Sequence, residues 1–369
     1  MEFNNIALLT WGDANNIATW SKTPYQLLQM FQERSYNVYN INIDGFTKPW
    51  QRKYRFLLHK LGALGESKLP GLFGFYSKKV HEELDKNDTN TACLFVTANC
   101  LNRSLKINNK SFIYIDSVVR PMYMYRKIDF IRGIVRKFSL GFYEYCDRTT
   151  YSFAAKIFTQ NEWTRQYLVD HYHVSDNKVI NVGFGVNLQF FEGEKDFSNE
   201  LLLIVLRKGK DIEAIKGLPL LLKAFRLAKQ SNPKLRLAVV GTTGEPEEGV
   251  EYYYGKSRET TIRLFRDCTL YTMPALSEPN GITYLEALAN KTPILGLDRY
   301  SVPEFSGYGK YGFYTSDATP EGVSALILKA LSDKAKLKRM GEEGQLFVRS
   351  KYCWDKVVDK ILSIMNNEF

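Results

Sequence analysis

The chain has 369 residues, of which 44% are apolar and 24% charged, and carries a net charge of +10. That length allows two domains with a core each, in the composition range of soluble globular proteins. No apolar run reaches the roughly 18 residues of a membrane span, and the start MEFNNIALLTWGD has neither a basic opening nor a small-residue cleavage site, so no signal peptide is expected. The 5 scattered cysteines include no C-x-x-C pair, which favours a reducing, cytoplasmic setting and argues against a zinc site. The charge is uneven. Through Phe190 there are 24 Lys/Arg against 16 Asp/Glu, and after it 26 against 24, so the first half carries most of the positive field.

In chain order, Ile6–Thr10 reads as a first buried strand, followed by the loop WGDANNIATWSKTP. Pro24 opens a helix with Tyr25, Leu27, Leu28 and Phe31 on its apolar face, and Asn37–Ile43 reads as strand two. This β-loop-α-β opening is that of a doubly wound α/β domain, whose ligands sit at strand C-terminal ends. The loop lacks the G-x-G-x-x-G spacing, so dinucleotide binding is not supported.

Lys48–Lys79 and Arg120–Arg136 differ in character. The first mixes Trp50, Tyr54, Phe56, Leu57, Leu58 and Leu61 with Arg52, Lys53, Arg55, Lys60, Lys68, Lys78 and Lys79, against Glu66. The second sets Met122, Tyr123, Tyr125, Phe130, Ile131 and Ile134 beside Arg120, Arg126, Lys127, Arg132 and Arg136. Such segments suit an anionic membrane interface, and equally a basic solvated face over a core helix. No helix-turn-helix, zinc-finger or RNA-binding signature accompanies the charge, which argues against nucleic acid.

Ala92–Ala98 and Ser111–Asp116 read as strands, with Asp116 at a strand end; a turn residue there is as good a reading as a functional one. Lys156–Thr159 is another strand, Asn161-Glu162-Trp163 caps a helix, and Val179–Val182 is the last strand of this half. Gly183-Phe184-Gly185-Val186-Asn187 and the polar run Glu192–Glu200 read as a linker. The second half repeats the α/β pattern. Its strands are Leu201–Leu206, Leu235–Gly241, Val250–Gly255, Leu270–Met273, Thr292–Gly296 and Tyr311–Thr315, with helices such as Arg258–Arg266 and Thr319–Leu331. A polar loop is expected between Arg207 and Lys216. The absence of a 20–50-residue repeat argues against a solenoid.

The chemistry concentrates in Ser277–Leu295, SEPNGITYLEALANKTPIL. Pro279-Asn280-Gly281 would hand a loop over to a helix with Ile282, Leu285, Leu288 and Ala289 on its apolar stripe. Glu278 then sits before the helix N-terminus and Glu286 inside the helix. The spacing of eight is not itself evidence, since Glu192 and Glu200, and Glu251 and Glu259, share it. The free N–H groups of a first helical turn attract anions. Arg207, past one strand, and Lys216, before the next helix, would face the same edge, where a guanidinium and an ammonium suit a diphosphate.

Taken together, Glu278-Pro279-Asn280-Gly281-Ile282 through Glu286-Ala287-Leu288-Ala289 and Thr292-Pro293-Ile294 resemble the E-x7-E region of family-4 retaining glycosyltransferases. Ser21-Lys22-Thr23-Pro24-Tyr25, Asn161-Glu162-Trp163, Val182–Asn187, Arg207 with Lys216-Gly217, and Pro303-Glu304 agree in order, so the resemblance spans nearly the whole chain. It implies a GT-B fold of α/β class, two Rossmann-like doubly wound domains facing across a cleft. Residues 1–190 would be the acceptor-side domain and 191–350 the nucleotide-sugar domain, with 351–369 crossing back as a helix to the first. The resemblance further implies an EC 2.4, hexosyltransferase-like enzyme that moves a sugar, with retention, from a nucleotide-diphosphate donor to a glycan or lipid-linked acceptor of a surface polysaccharide. Arg207 and Lys216 would hold the diphosphate, with Gly281 and the Ile282 and Thr283 amides capping it. Glu286 would take the ribose, Glu278 would act at the sugar, and Gly12 would let the first loop approach.

The resemblance implies no metal and no cofactor beyond the nucleotide sugar. Asp116 is the candidate for the family's frequent N-domain histidine, since His59, His81, His171 and His173 fall outside the motifs. Lys22, Leu206 and Lys291 stand where glycines are common in the family, and Asn290 is expected to take the left-handed conformation in place of Lys291. The leading expectation is a cytoplasmic enzyme, peripheral on the inner face of the membrane. The alternatives are a soluble enzyme glycosylating a small molecule or nucleic acid, and a non-catalytic nucleotide- or glycan-binding protein.

Overall fold

A computed structural model describes residues 3–64, 68–86, 90–96, 110–120 and 130–368. Glu66, Cys100, Met122, Tyr123, Tyr125, Arg126, Lys127 and the last two residues of the strand expected at Ala92–Ala98 lie outside the described residues. The chain divides into two compact units. One holds the described residues up to Gly185 together with the helix Trp354–Glu368; the other holds Val186–Cys353.

The first unit is built on six parallel strands: β1 (Asn5–Thr10), β2 (Asn37–Asn42), β3 (Thr91–Val96), β4 (Ser111–Ile115), β5 (Lys156–Thr159) and β6 (Val179–Asn181), in the order β2-β1-β3-β4-β5-β6. β1, β3 and β4 are buried almost throughout, because helices cover both faces of a parallel sheet and its strands become continuous apolar runs. Helix α1 (Thr23–Glu33) takes Pro24 in its first turn and buries Leu27, Leu28 and Phe31. The helix Trp354–Glu368 packs on α1, where Arg34 reaches Asp359 at 2.7 Å and Asp355 at 3.0 Å. Gly185 makes room for it, since a Cβ there would stand 2.2 Å from the Trp354 ring.

Two more helices of this unit are α2 (Pro49–Lys60) and α3 (Phe73–Leu84). A long helix, α4 (Phe130–Phe153), follows. One sequence expectation is corrected here. Lys68 belongs to no exposed basic face; it is 3% exposed, ion-paired with the equally buried Asp147 of α4, and lies 4.0 Å over the Tyr143 ring. A charge can be buried this deeply only with a partner.

The second unit has six parallel strands: β7 (Leu201–Val205), β8 (Arg236–Val240), β9 (Val250–Tyr253), β10 (Leu270–Thr272), β11 (Ile294–Leu297) and β12 (Gly312–Thr315). Their order, β12-β11-β10-β7-β8-β9, is that of a doubly wound sheet whose winding reverses between β7 and β10. The expected loop between Arg207 and Lys216 is instead a short helix, α5 (Lys210–Ile215). Asp211 and Glu213 in its first turn suit the positive end of the helix dipole, and the Glu213 carboxylate accepts the Gly209 N–H at 3.3 Å. Helix α6 (Leu218–Ser231) follows directly, with Gly217 as its N-cap. Among the described residues no helix is long and apolar enough to cross a membrane.

Candidate functional site

The reversal between β7 and β10 leaves a crevice beyond the strand ends, the usual ligand position in an open parallel sheet. Arg207 lies two residues past β7 and is exposed. The chain after β10 runs through Pro274 to Gly281 and enters α7 (Ile282–Ala289). This loop is fixed to α5, because the Leu276 N–H donates to the Ile215 carbonyl at 2.7 Å. Lys216 thereby meets Glu278 in a direct ion pair. Gly217 is required beside it. Its φ is +81°, and a Cβ would stand 2.0 Å from the Pro274 carbonyl oxygen, a close approach that only a residue without side chain permits.

Both oxygens of Glu278 are engaged: one by Lys216, the other by the Gly281 N–H at 2.9 Å. Gly281 is left-handed, at φ +45°, and caps α7. The N–H groups of Ile282 and Thr283 open the first turn, where no intrahelical acceptor exists. The Thr283 hydroxyl accepts from Tyr271 of β10 at 2.6 Å, so the turn is tied to the sheet. Burial, and next the charge of Arg207, push the Lys216 ammonium down to about 7. The Glu278 carboxylate in contact opposes this, because it favours the charged ammonium.

Glu286 lies one turn further along α7. Its carboxylate makes no hydrogen bond or ion pair among the described residues. Burial raises it from 4.5 to about 7, with the positive Arg258 working against that rise. Leaving a half-buried carboxylate without a partner is costly, and such groups concentrate where a ligand supplies the missing donors. Arg207, Lys216, Glu278, Gly281, Ile282, Thr283 and Glu286 thus belong to one edge of one sheet.

Gly12 and Asp116 belong to the first unit. Gly12, at φ +105°, lies in the loop after β1 and donates its N–H to Asn42 Oδ1 at 3.2 Å. The same loop closes on three successive left-handed residues, Trp20, Ser21 and Lys22. Lys22 therefore holds a conformation in which glycine would cost less. Asp116 follows β4; burial raises its carboxyl to about 6, opposed by the N–H groups of Asp116 and Ser117. Its backbone carbonyl accepts the Thr164 hydroxyl at 3.2 Å.

The expectation for Asn290 is corrected: Lys291 itself is left-handed, at φ +56°, and Asn290 has φ −100°. The Asn290 amide donates instead to the Glu286 carbonyl at 2.9 Å. Three residues of this edge went unnoticed in the sequence. Arg258 faces Glu286, Tyr271 holds Thr283, and Glu213 joins the loops after β7 and β8 by accepting the Gly209 N–H and, at 2.5 Å, the Thr242 hydroxyl. Nothing marks Tyr271 in a buried strand, whereas Glu213 stands in a polar stretch between two singled-out cations. Among the described residues no group of three or more His, Cys, Asp and Glu could hold a metal ion.

Two units with six-stranded parallel sheets, one carrying this anion-suited edge, give the chain a GT-B type of fold with two Rossmann-like domains. Residues 198–347 match the family model described as glycosyl transferases group 1. Spore coat protein SA of Bacillus subtilis is 24% identical over 293 residues, covering 70% of this chain and 74% of that one. The next curated relatives are matched over about half their length, 52% and 49%. The fold is similar to sucrose-phosphate synthase from Thermosynechococcus elongatus, at TM-score 0.70 and 13% identity over 99% of each chain. It is similar also to WaaG, a glycosyltransferase involved in lipopolysaccharide biosynthesis, at TM-score 0.64 and 14% identity, over 97% of this chain and 99% of that one. These matches support glycosyl transfer as the general activity.

Proposed function

We propose that the chain transfers a sugar, with retention of configuration, from a nucleotide-diphosphate donor to a glycan or lipid-linked acceptor. The observation that carries this reading is the convergence of Lys216, Arg207 and the open first turn of α7 at the β7/β10 reversal. A diphosphate bound there receives two cationic donors and the Ile282 and Thr283 amides. Charge-assisted hydrogen bonds contribute about 1.5–3 kcal/mol each and a helix terminus about 0.3–1 kcal/mol, so the side chains dominate affinity and the amides set orientation. Glu286 accepts both ribose hydroxyls, which fill the acceptor capacity the protein leaves open.

In the reaction, negative charge builds on the leaving diphosphate as the bond to the sugar lengthens. Lys216 and Arg207 stabilise that charge more in the transition state than in the ground state, which is what accelerates the step. Glu278 keeps the half-buried Lys216 charged and, with its remaining lone pairs, meets a sugar hydroxyl. The resemblance to lipopolysaccharide and phosphosugar enzymes supports the class of acceptor, and the family-4 motif set supports retention. Asp116 is proposed as an acceptor-side group, poised by a carboxyl that titrates near neutrality.

The test is a screen of nucleotide sugars with diverse acceptors, scored by nucleoside diphosphate release, with product anomeric configuration read by NMR. Release from at least one donor with an axial or equatorial bond preserved is expected. No release from any donor, together with no calorimetric binding of nucleoside diphosphates, would sink the proposal.

A further inference from the structure

α2 and α4 expose large apolar side chains to a degree that ordinary packing does not explain. Phe130 and Phe138 of α4 are 83% and 76% exposed, and Phe56 of α2 is 62% exposed. Ile134 lies between the two phenylalanines at one-turn spacing, so α4 carries an outward apolar ridge; Leu57 and Leu61 form a second at the end of α2. The two ridges adjoin. A Cβ on Gly62, just past α2, would stand 2.8 Å from the Arg132 carbonyl oxygen, and the Leu64 N–H donates to Ser139 Oγ at 3.1 Å.

Cations flank both ridges. Arg52, Lys53, Lys60 and Lys137 are exposed, and none forms an ion pair among the described residues. No acidic residue occurs within α2 or in α4 before Glu144. Apolar patches of this kind mark interaction sites, and here the charge decides the partner. A second copy would set like charge against like. A bilayer surface rich in anionic lipid matches both properties at once: bulky side chains enter the headgroup–acyl boundary while Lys and Arg stems reach back to the phosphates.

We infer that the adjoining α2 and α4 faces dock this protein onto an anionic lipid bilayer, with Phe56, Leu57, Phe130 and Phe138 inserted and Lys53 and Lys137 at phosphate level. This surface is independent of the donor-site residues, so it stands or falls apart from the proposed reaction.

The test uses the full chain in flotation against vesicles of phosphatidylcholine alone or with added phosphatidylglycerol. Binding is expected only with phosphatidylglycerol, and rising salt releases it. Lys53→Glu/Lys137→Glu lowers partitioning about thirty-fold or more, and Phe56→Ser/Phe138→Ser lowers it at least about ten-fold. All four positions are exposed, so thermal midpoints and nucleoside diphosphate binding stay at the wild-type level. Absence of flotation with phosphatidylglycerol at low salt overturns the inference, as does equal flotation by the charge-reversed variant. A concentration-dependent dimer that Phe56→Ser/Phe138→Ser abolishes, without vesicle binding, assigns the face to a second copy and overturns it as well.

Discussion

Glu286→Gln separates the cost of the site from its use. Burial holds the Glu286 carboxyl at about 7 against an ordinary 4.5, so ionising it in the folded chain costs about 3 kcal/mol more than in the unfolded chain. The sign follows from which state keeps the proton. Below about pH 4.5 both states are protonated and the folded chain has its full stability; between there and about pH 7 the unfolded chain releases a proton that the folded chain retains. Stability therefore falls as pH rises through this window, and above it the loss is complete. Glutamine is neutral throughout, so the variant gains over the parent with rising pH, by about 1–3 kcal/mol at pH 8. The lower end allows for the polar partners that the amide also lacks. Urea denaturation of both proteins from pH 4.5 to 8 reads this directly. The same substitution weakens nucleoside diphosphate binding about ten- to a hundred-fold, the worth of a hydrogen bond to a charged group. A stability difference independent of pH, or an unchanged affinity, would refute the reasoning.

Glu278→Gln removes the countercharge from Lys216. In the parent, burial and Arg207 already push the ammonium down to about 7, and loss of the carboxylate lowers it further, so diphosphate affinity falls with rising pH in both proteins but at a lower pH in the variant; calorimetry from pH 5 to 8 distinguishes them. Gly217→Ala forces a Cβ to within 2.0 Å of the Pro274 carbonyl, while Gly71, with a similar φ of +78°, has nothing within 4 Å of its Cβ. The first substitution lowers stability by more than about 2 kcal/mol and the second by about 1 kcal/mol, and equal thermal shifts would show that backbone strain alone matters. In the first unit, Asp147→Leu strands a buried Lys68 and costs about 3–5 kcal/mol, while adding Lys68→Met recovers most of it; a double variant as unstable as the single would contradict the pairing.

The sheet was the most legible part of the sequence. Strands such as Leu201–Val205 are covered on both faces and read as unbroken apolar runs. Elements with local polarity were harder. Lys210–Ile215 is too short to show a helical period, and its two acids look like loop residues until the Gly209 N–H bond is seen. Lys68 carries the same charge as its exposed neighbours, and only the distant Asp147 separates it from them. The loop-to-helix switch at α7 was legible in the breaker cluster and the stripe that follows, and that is what singled out its candidate residues. What the sequence could not supply was their partners. Lys216 finds Glu278 because a loop 60 residues later bonds to the Ile215 carbonyl, a contact with no local signal.

That tertiary contact makes the two glutamates unlike each other. Glu278 is already satisfied by a cation and a backbone amide, so the folded chain spends it on holding the loop, the helix start and the charge of Lys216. Glu286 has no such partner, and its burial is a standing cost with no return in the folded protein alone. A structural carboxylate in that position could be replaced by an apolar residue with a gain in stability. On the proposed reading, two ribose hydroxyl donors recover that cost. On that reading the carboxylate that the fold leaves incomplete is the one that takes the ligand, and the completed one holds the loop, the helix start and Lys216 in place for it.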